Sequence, residues 1–440
     1  MSTPTTRRPS FLVASATTYA TSLTVAALSL GNVLVVSRAL GPVGRGDVAF
    51  LTTIGTLVGY LANLGIDQSN ANLGGRRPEL RPALATNSLL FAAVFGAVAA
   101  CVVTAIVALF PGVGGESTSS LRWLALASVP VLMLERYLAT LLQADYGFGL
   151  TNLAWLMAPV VNFGVNGTLA ATGVLSVTSA VATWVAGWTL SAAILVAAVA
   201  RRSRFGRPDP ALARSMLGFG LKTHASGVLG LGNYRLDQWL VGTLGGSREL
   251  GHYSVAVAWS EALFVLPTAL VAVQRPDLVR AAPLDAARRT AMAFRLAAIL
   301  TAALAGALVL AAPILCVTIF GEAFRGSITD LRILAAGGIG IVALKLMGQA
   351  LTAQRMPLLE TAATAVAFAL GLGLDLLLIP DHGGAGAALA ATLAYTTGGI
   401  VMAILFLRAL GGRANDLVPR AGDFRGLARR LRPARTIGGA

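Results

Sequence analysis

Charge is scarce in this sequence. Charged side chains make up 12% of its 440 residues, against about 25% in a typical soluble domain. A chain so depleted cannot cover a water-facing surface. With 56% hydrophobic residues and a mean hydropathy of +0.74, it does not read as a soluble globular protein. Cysteine is nearly absent. Cys101 and Cys316 are the whole complement and both lie in apolar runs, so neither a disulfide framework nor a zinc site is implied. The three histidines are scattered, and no H-E-x-x-H or G-x-S-x-G occurs. Lys222-Thr223 follows Leu221 where a P-loop needs glycine, so ATP hydrolysis by that route is excluded. The chain reads as no enzyme, with no metal and no cofactor.

What is present in quantity is apolar length. A helix crosses the hydrocarbon core with about 20 mostly apolar residues, and twelve stretches qualify. The first six are Phe11–Ser37, Val48–Gly65, Ala83–Phe110, Leu121–Leu142, Leu153–Thr172 and Val177–Ala200. The second six are Leu217–Leu244, Tyr253–Val273, Ala291–Phe320, Leu331–Thr352, Leu358–Ile379 and Ala385–Leu407. Backbone groups in lipid must be satisfied within each span, so all twelve are expected as helices of an all-α integral membrane protein. Of the 34 basic residues, 23 fall in the alternate loops that share a side with the N-terminus, and six fall opposite. By the positive-inside rule both termini are expected in the cytoplasm. The net charge of +15 is then a topology signal and a contact for anionic lipids, not a nucleic-acid site.

The chain also echoes itself. Leu40 and Gly46, after the first span, match Leu244 and Gly251 after the seventh, with one residue inserted between them. Gly164-Val165-Asn166 parallels Gly373-Leu374-Asp375, and Ala180-Val181-Ala182 parallels Ala388-Leu389-Ala390. These pairs divide the chain into two pseudo-symmetric six-helix lobes, at 1–200 and 216–410. A cytoplasmic linker at 201–215 joins them, and a basic, disordered tail is expected at 411–440. An even number of spans gives both lobes the same orientation, as in transporters whose site lies between two bundles.

Ionisable groups inside spans are costly and by default face the bundle interior or a watery cavity. The seventh span is the richest, and at 100° per residue Lys222, Asn233 and Asp237 fall within a sector of about 60°. Arg235 points elsewhere. The first span carries Tyr19 and Ser22 on a polar stripe, the fourth carries Glu135 and Arg136, and the tenth puts Lys345 and Gln349 on one face. All of these except Glu135 are candidates for lining a substrate cavity. Asp237, Glu261, Glu135 and Asp375 are candidates for ion coupling or for structural ion pairs. Arg295, near a span end, reads as structural.

Three motifs resemble one known family. They are Ser37 to Asp47, Asn233-Tyr234-Arg235-Leu236-Asp237-Gln238 with Leu244-Gly245, and Ile379-Pro380 followed by Gly383 to Ala388. They are similar in kind and order to those of bacterial oligosaccharide flippases, the Wzx-type branch of the superfamily that also holds multidrug extruders and lipid II flippases. Asp375 departs from the asparagine of that pattern. The resemblance implies a V-shaped exporter fold and an undecaprenyl-diphosphate-linked oligosaccharide as cargo. The cargo would move from the cytoplasmic to the periplasmic leaflet of the bacterial inner membrane, by a monomer working beside polysaccharide-assembly machinery. Two alternatives stand beside it. A multidrug extruder shares the fold but suits an organic cation less well with this cationic set. A membrane-embedded glycan polymerase or transferase would need a large outward loop, and the longest outward loops expected here have about ten residues.

Overall fold

The computed structural model describes residues 11–115 and 117–419. Arg7, Arg8 and the tail from 420 onward, read above as basic ends, lie outside the described residues. Those described form helices and connections, with no strand among them. The order is α1 (Phe11–Leu61), α2 (Ile66–Arg76), α3 (Arg81–Leu109), α4 (Ser119–Leu126), α5 (Ser128–Ala144), α6 (Phe148–Ala171) and α7 (Val177–Arg202). Then follow α8 (Pro210–Leu240), α9 (Gly246–Ser260), α10 (Ala262–Arg280), α11 (Pro283–Pro313), α12 (Ser327–Ala336), α13 (Gly338–Ala353) and α14 (Pro357–Leu410).

Glycine and proline set the punctuation. α1 breaks at Gly41 (φ 68°, ψ −175°) ahead of Pro42, so its two arms are the expected first and second spans. α14 breaks at Gly383 (φ 54°, ψ −133°) and supplies the eleventh and twelfth. An L side chain would be strained at both places. Starts are capped in the usual ways. Asp209 accepts from the Leu212 N–H at 3.0 Å with Pro210 behind it, and Ser176 and Ser179 form a reciprocal capping box on α7. Among the described residues seven helices are long and apolar enough to cross a membrane, or eight if α12 and α13, bent by 42°, form one span. The protein is a multi-pass membrane protein. The seventh and eighth expected spans, α8 and α9–α10, are not among those seven.

The chain forms two compact units. The first takes Met1–Ala258, Pro313–Asp330 and Asp375–Ala387, and the second takes Trp259–Ala312, Leu331–Leu374 and Ala388–Ala440. In the second, Leu278, Met347, Leu351, Met402 and Phe406 form a buried apolar cluster. Arg295 is buried there and donates to the Asp416 carbonyl at 2.6 Å, so it is fixed as a structural residue.

The first unit holds the repeat in three dimensions. Gly246 (φ 84°, ψ 173°) breaks the backbone after α8 as Gly41 does in α1, and each break precedes a second glycine by five residues. The residue inserted between Leu244 and Gly251 therefore lies before the break. There Val241–Gly245 makes a π turn, which holds more residues per turn. The second glycines cross each other. A Cβ on Gly46 would lie 1.7 Å from the Ser247 carbonyl oxygen, and one on Gly251 would lie 2.0 Å from that of Pro42. Around the crossing, the Ser247 hydroxyl donates to Asp47 at 2.5 Å and Arg45 Nε donates to Ser254 at 3.1 Å. Arg38 donates to the carbonyls of Ile319 and Thr318 at 2.7 and 2.9 Å.

At the arginine-rich end of this unit, Asp145 pairs with Arg81 and lies 4.0 Å from Arg202. The stretch between α7 and α8 is docked onto α3. Gly206 N–H donates to the Pro82 carbonyl at 2.9 Å, and Asn87 exchanges hydrogen bonds with the backbone of Asp209. Both cysteines are free thiols, Cys101 facing outward and Cys316 buried.

Candidate functional site

The sequence candidates separate into several places. In the first unit, Asp237 on α8 is buried and accepts twice, from the Gln238 N–H at 2.7 Å and from the Tyr253 hydroxyl at 2.5 Å. Tyr253, on α9, is fully buried. Asp375, on the first arm of α14, is 6% exposed and lies within electrostatic reach of Asp237. Its Oδ1 has no hydrogen-bond partner. The structure thus brings Asp237 and Asp375 together. Asn233 is half-buried and donates to the Leu229 carbonyl of its own helix at 3.0 Å. Arg235 is half-buried as well.

Lys222 is exposed. It sits two residues, or about 200° of helix, from His224, whose face packs on the second arm of α1. Lys222 therefore does not join the groups gathered there. That gathering contains Arg136 of α5, whose guanidinium carbon lies 4.5 Å from the ring centroid of Tyr60. Tyr60 is stacked on His224, with centroids 6.1 Å apart and planes at 23°. Glu135, next to Arg136, is buried, takes Trp155 of α6 as a side-chain donor, and keeps Oε1 without a partner. On the first arm of α1, Tyr19 is 45% exposed, and the Ser22 hydroxyl donates to the Thr18 carbonyl at 3.0 Å.

The remaining candidates belong to the second unit. Lys345 Nζ lies 5.8 Å from the ring centroid of Phe264, and Gln349 leaves Nε2 without a partner. Glu261 stands at the break between α9 and α10.

Two sets of residues were not among the candidates. The first is amide-based and joins α1 to α6. Asn152 Nδ2 donates to the Thr18 hydroxyl at 3.1 Å, and Asn166 Nδ2 donates to Asn32 Oδ1 at 2.8 Å. The second is buried where α1 ends. Tyr137 OH donates to the Asn63 carbonyl at 3.0 Å, Asn63 Nδ2 to Asp67 at 2.8 Å, and Asn70 Nδ2 to Ser88 at 2.8 Å. The available signal was asparagine inside apolar runs, which marks a buried amide as surely as a charge does. No cluster of metal-ligating side chains occurs among the described residues.

Long apolar helices broken at glycines, with buried polar groups within spans, define a multi-pass membrane protein of the exporter fold. Solved structures agree on the fold. An inward-facing multidrug resistance transporter of the MATE family superposes with a TM-score of 0.70 at 16% identity, covering 87% of this chain and 94% of its own. The lipid II flippase MurJ, in an inward closed conformation, gives 0.67 at 11% identity, covering 91% and 88%. A point mutant of the Vibrio cholerae MATE transporter VcmN gives 0.60 at 15%, covering 92% and 98%. No curated protein sequence matches. The chain belongs to the polysaccharide biosynthesis protein family, whose model matches residues 35–330.

Proposed function

We propose that this protein is a secondary transporter that flips an undecaprenyl-diphosphate-linked oligosaccharide across the bacterial inner membrane, from the cytoplasmic to the periplasmic leaflet. Its membership of the polysaccharide biosynthesis family carries this reading. A fold shared with a lipid II flippase supports it. In this reading both termini are cytoplasmic, and the lobes are 1–200 and 216–410, joined by 201–215. Lys222 faces the cargo as a point charge. The drive is a cation taken up between Asp237 and Asp375, since two buried carboxylates side by side need a proton or a metal cation between them.

Reconstitution tests it. Purified protein in liposomes, with a fluorescent undecaprenyl-diphosphate oligosaccharide in one leaflet, is expected to move the label to the other. The rate should fall when the ion gradients are collapsed, and it should fall likewise in an Asp237→Asn, Asp375→Asn double variant. No movement of label above protein-free liposomes would end the reading. Movement indifferent to gradients would end the coupling part alone.

A further inference from the structure

Arg136 is placed with unusual care for a side chain that does so little in the resting molecule. It lies about two helical turns before the end of α5 at Ala144, half-buried, with its guanidinium on the Tyr60 ring. Guanidinium carries five N–H donors and no acceptor. Among the described residues, none of those donors has a hydrogen-bond acceptor, and no carboxylate stands within ion-pairing distance. Glu135 lies within electrostatic reach of Arg136 but makes its side-chain hydrogen bond with Trp155 instead. A cation–π contact answers the charge in part but none of the donors.

Tyr60 is itself held by a second ring contact. The His224 ring stacks on it, and His224 Nε2 lies 3.1 Å from the Leu61 carbonyl, which fixes the imidazole to the end of α1. Gly227 leaves space for the phenol, since a Cβ there would come within 2.5 Å of its oxygen. Side chains of α1, α5 and α8 thus hold one guanidinium rigid with its fork of donors unspent. Such a fork matches a pair of anionic oxygens in a plane, as in phosphate or carboxylate.

We propose that Arg136 is the oxyanion-binding residue of this transporter, with Tyr60 and His224 as its positioning residues, and that it takes a phosphate or carboxylate group of the cargo. This rests on the reading of the cargo as a lipid-linked glycan. Two parts of such a cargo share the chemistry: the diphosphate of the lipid carrier, and the carboxylate of an acidic sugar.

The test uses full-length protein in nanodiscs with two probes, farnesyl diphosphate and glucuronate. Arg136→Gln is expected to weaken binding of one of them by about 10–100-fold, as for loss of charge-assisted hydrogen bonds. Loss with farnesyl diphosphate assigns the group to the carrier, and loss with glucuronate assigns it to the glycan. Arg136→Lys should recover only part, because an ammonium keeps the charge without the fork. Tyr60→Ala should weaken the same probe several-fold and Tyr60→Phe should restore most of it. A purely structural tyrosine would change melting temperature without this probe-specific pattern. Wild type that binds neither probe, or Arg136→Gln that binds both as wild type does, overturns the proposal. Should Arg136→Gln fail to fold, undiminished binding by Arg136→Lys and Tyr60→Ala overturns it instead. Protein that binds through Arg136 yet flips nothing in liposomes would sink the transport reading and leave this site standing.

Discussion

In the first half of the molecule, the helix that opens the half meets the fifth span through two amides. Asn166 donates to Asn32 at 2.8 Å. In the second half, the opening helix and the eleventh span carry Asp237 and Asp375 instead. An amide both donates and accepts, so the first pair makes its bond without charge, although Asn166 Oδ1 is left without a partner. Two ionised carboxylates only accept and cannot fasten each other in that way. The second half compensates in part from another helix, because Tyr253 donates to Asp237. Two residues after the crossing glycine of the first half, the equivalent place holds buried Val48, which donates nothing. Asp375 Oδ1 remains without a partner. The opening helix of the first half therefore meets the fifth span through a neutral amide bond, whereas that of the second half carries a carboxylate within electrostatic reach of the one on the eleventh span.

The strongest way to break the comparison is at the crossing that relates the halves. Gly46→Ala and Gly251→Ala each drive a Cβ into a backbone carbonyl, at 1.7 and 2.0 Å. The backbones must part, at a cost of about 3 kcal/mol or more for each variant. Thermal melting of solubilised protein is expected to show two large and similar losses. A neutral Gly46→Ala beside a disruptive Gly251→Ala would show that the crossing is not symmetric.

Much of this was legible in the residues. The apolar runs located the long helices, because hydrocarbon length sets a minimum that few soluble sequences reach, but not the short α2, which falls in an expected loop. Gly46 and Gly251 marked the repeat, since no other residue fits the crossing. What periodicity could not show is which polar groups meet. Lys222, Asn233 and Asp237 share a helix face, yet Asp237 is committed to Tyr253 and Asn233 to its own backbone, while Lys222 is exposed. Tyr60 and His224 escaped notice because an aromatic at a span end reads as an interface anchor. Only the approach of α5 and α8 turns them into a support for Arg136. The inserted residue was visible, but its absorption in a π turn is a backbone event with no side-chain signature.

Next in size are the fastenings themselves. Tyr253→Phe removes the hydroxyl that Asp237 accepts from and leaves a buried carboxylate oxygen short of its donor, at a cost of about 2 kcal/mol. Asn166→Ala removes the donor to Asn32, a bond between neutral groups, and should cost about 1 kcal/mol. Melting temperatures measured side by side check the order. An Asn166→Ala loss larger than that of Tyr253→Phe would mean that the amide pair, not the carboxylate pair, carries the greater electrostatic stake.

The smallest expected effect is the sharpest for the comparison, because its sign is unusual. Asp375→Asn turns the second pair toward the first, giving position 375 an N–H donor within electrostatic reach of Asp237. A buried oxygen without a partner is replaced by a group that can be satisfied, so stability is expected to rise by about 1 kcal/mol. The same substitution removes one of the two carboxylates proposed to take up the driving cation. Gradient-dependent flipping in liposomes should therefore fall while the melting temperature climbs, the trade expected where a strained site serves function. The converse change, Asn166→Asp, places a second acceptor against Asn32 in place of the donor and should lower the melting temperature without creating drive, since Val48 offers no hydroxyl in support. If Asp375→Asn is destabilised, or keeps its full gradient dependence, the two loci differ in composition only, and the ionisable pair is a fastening like its counterpart.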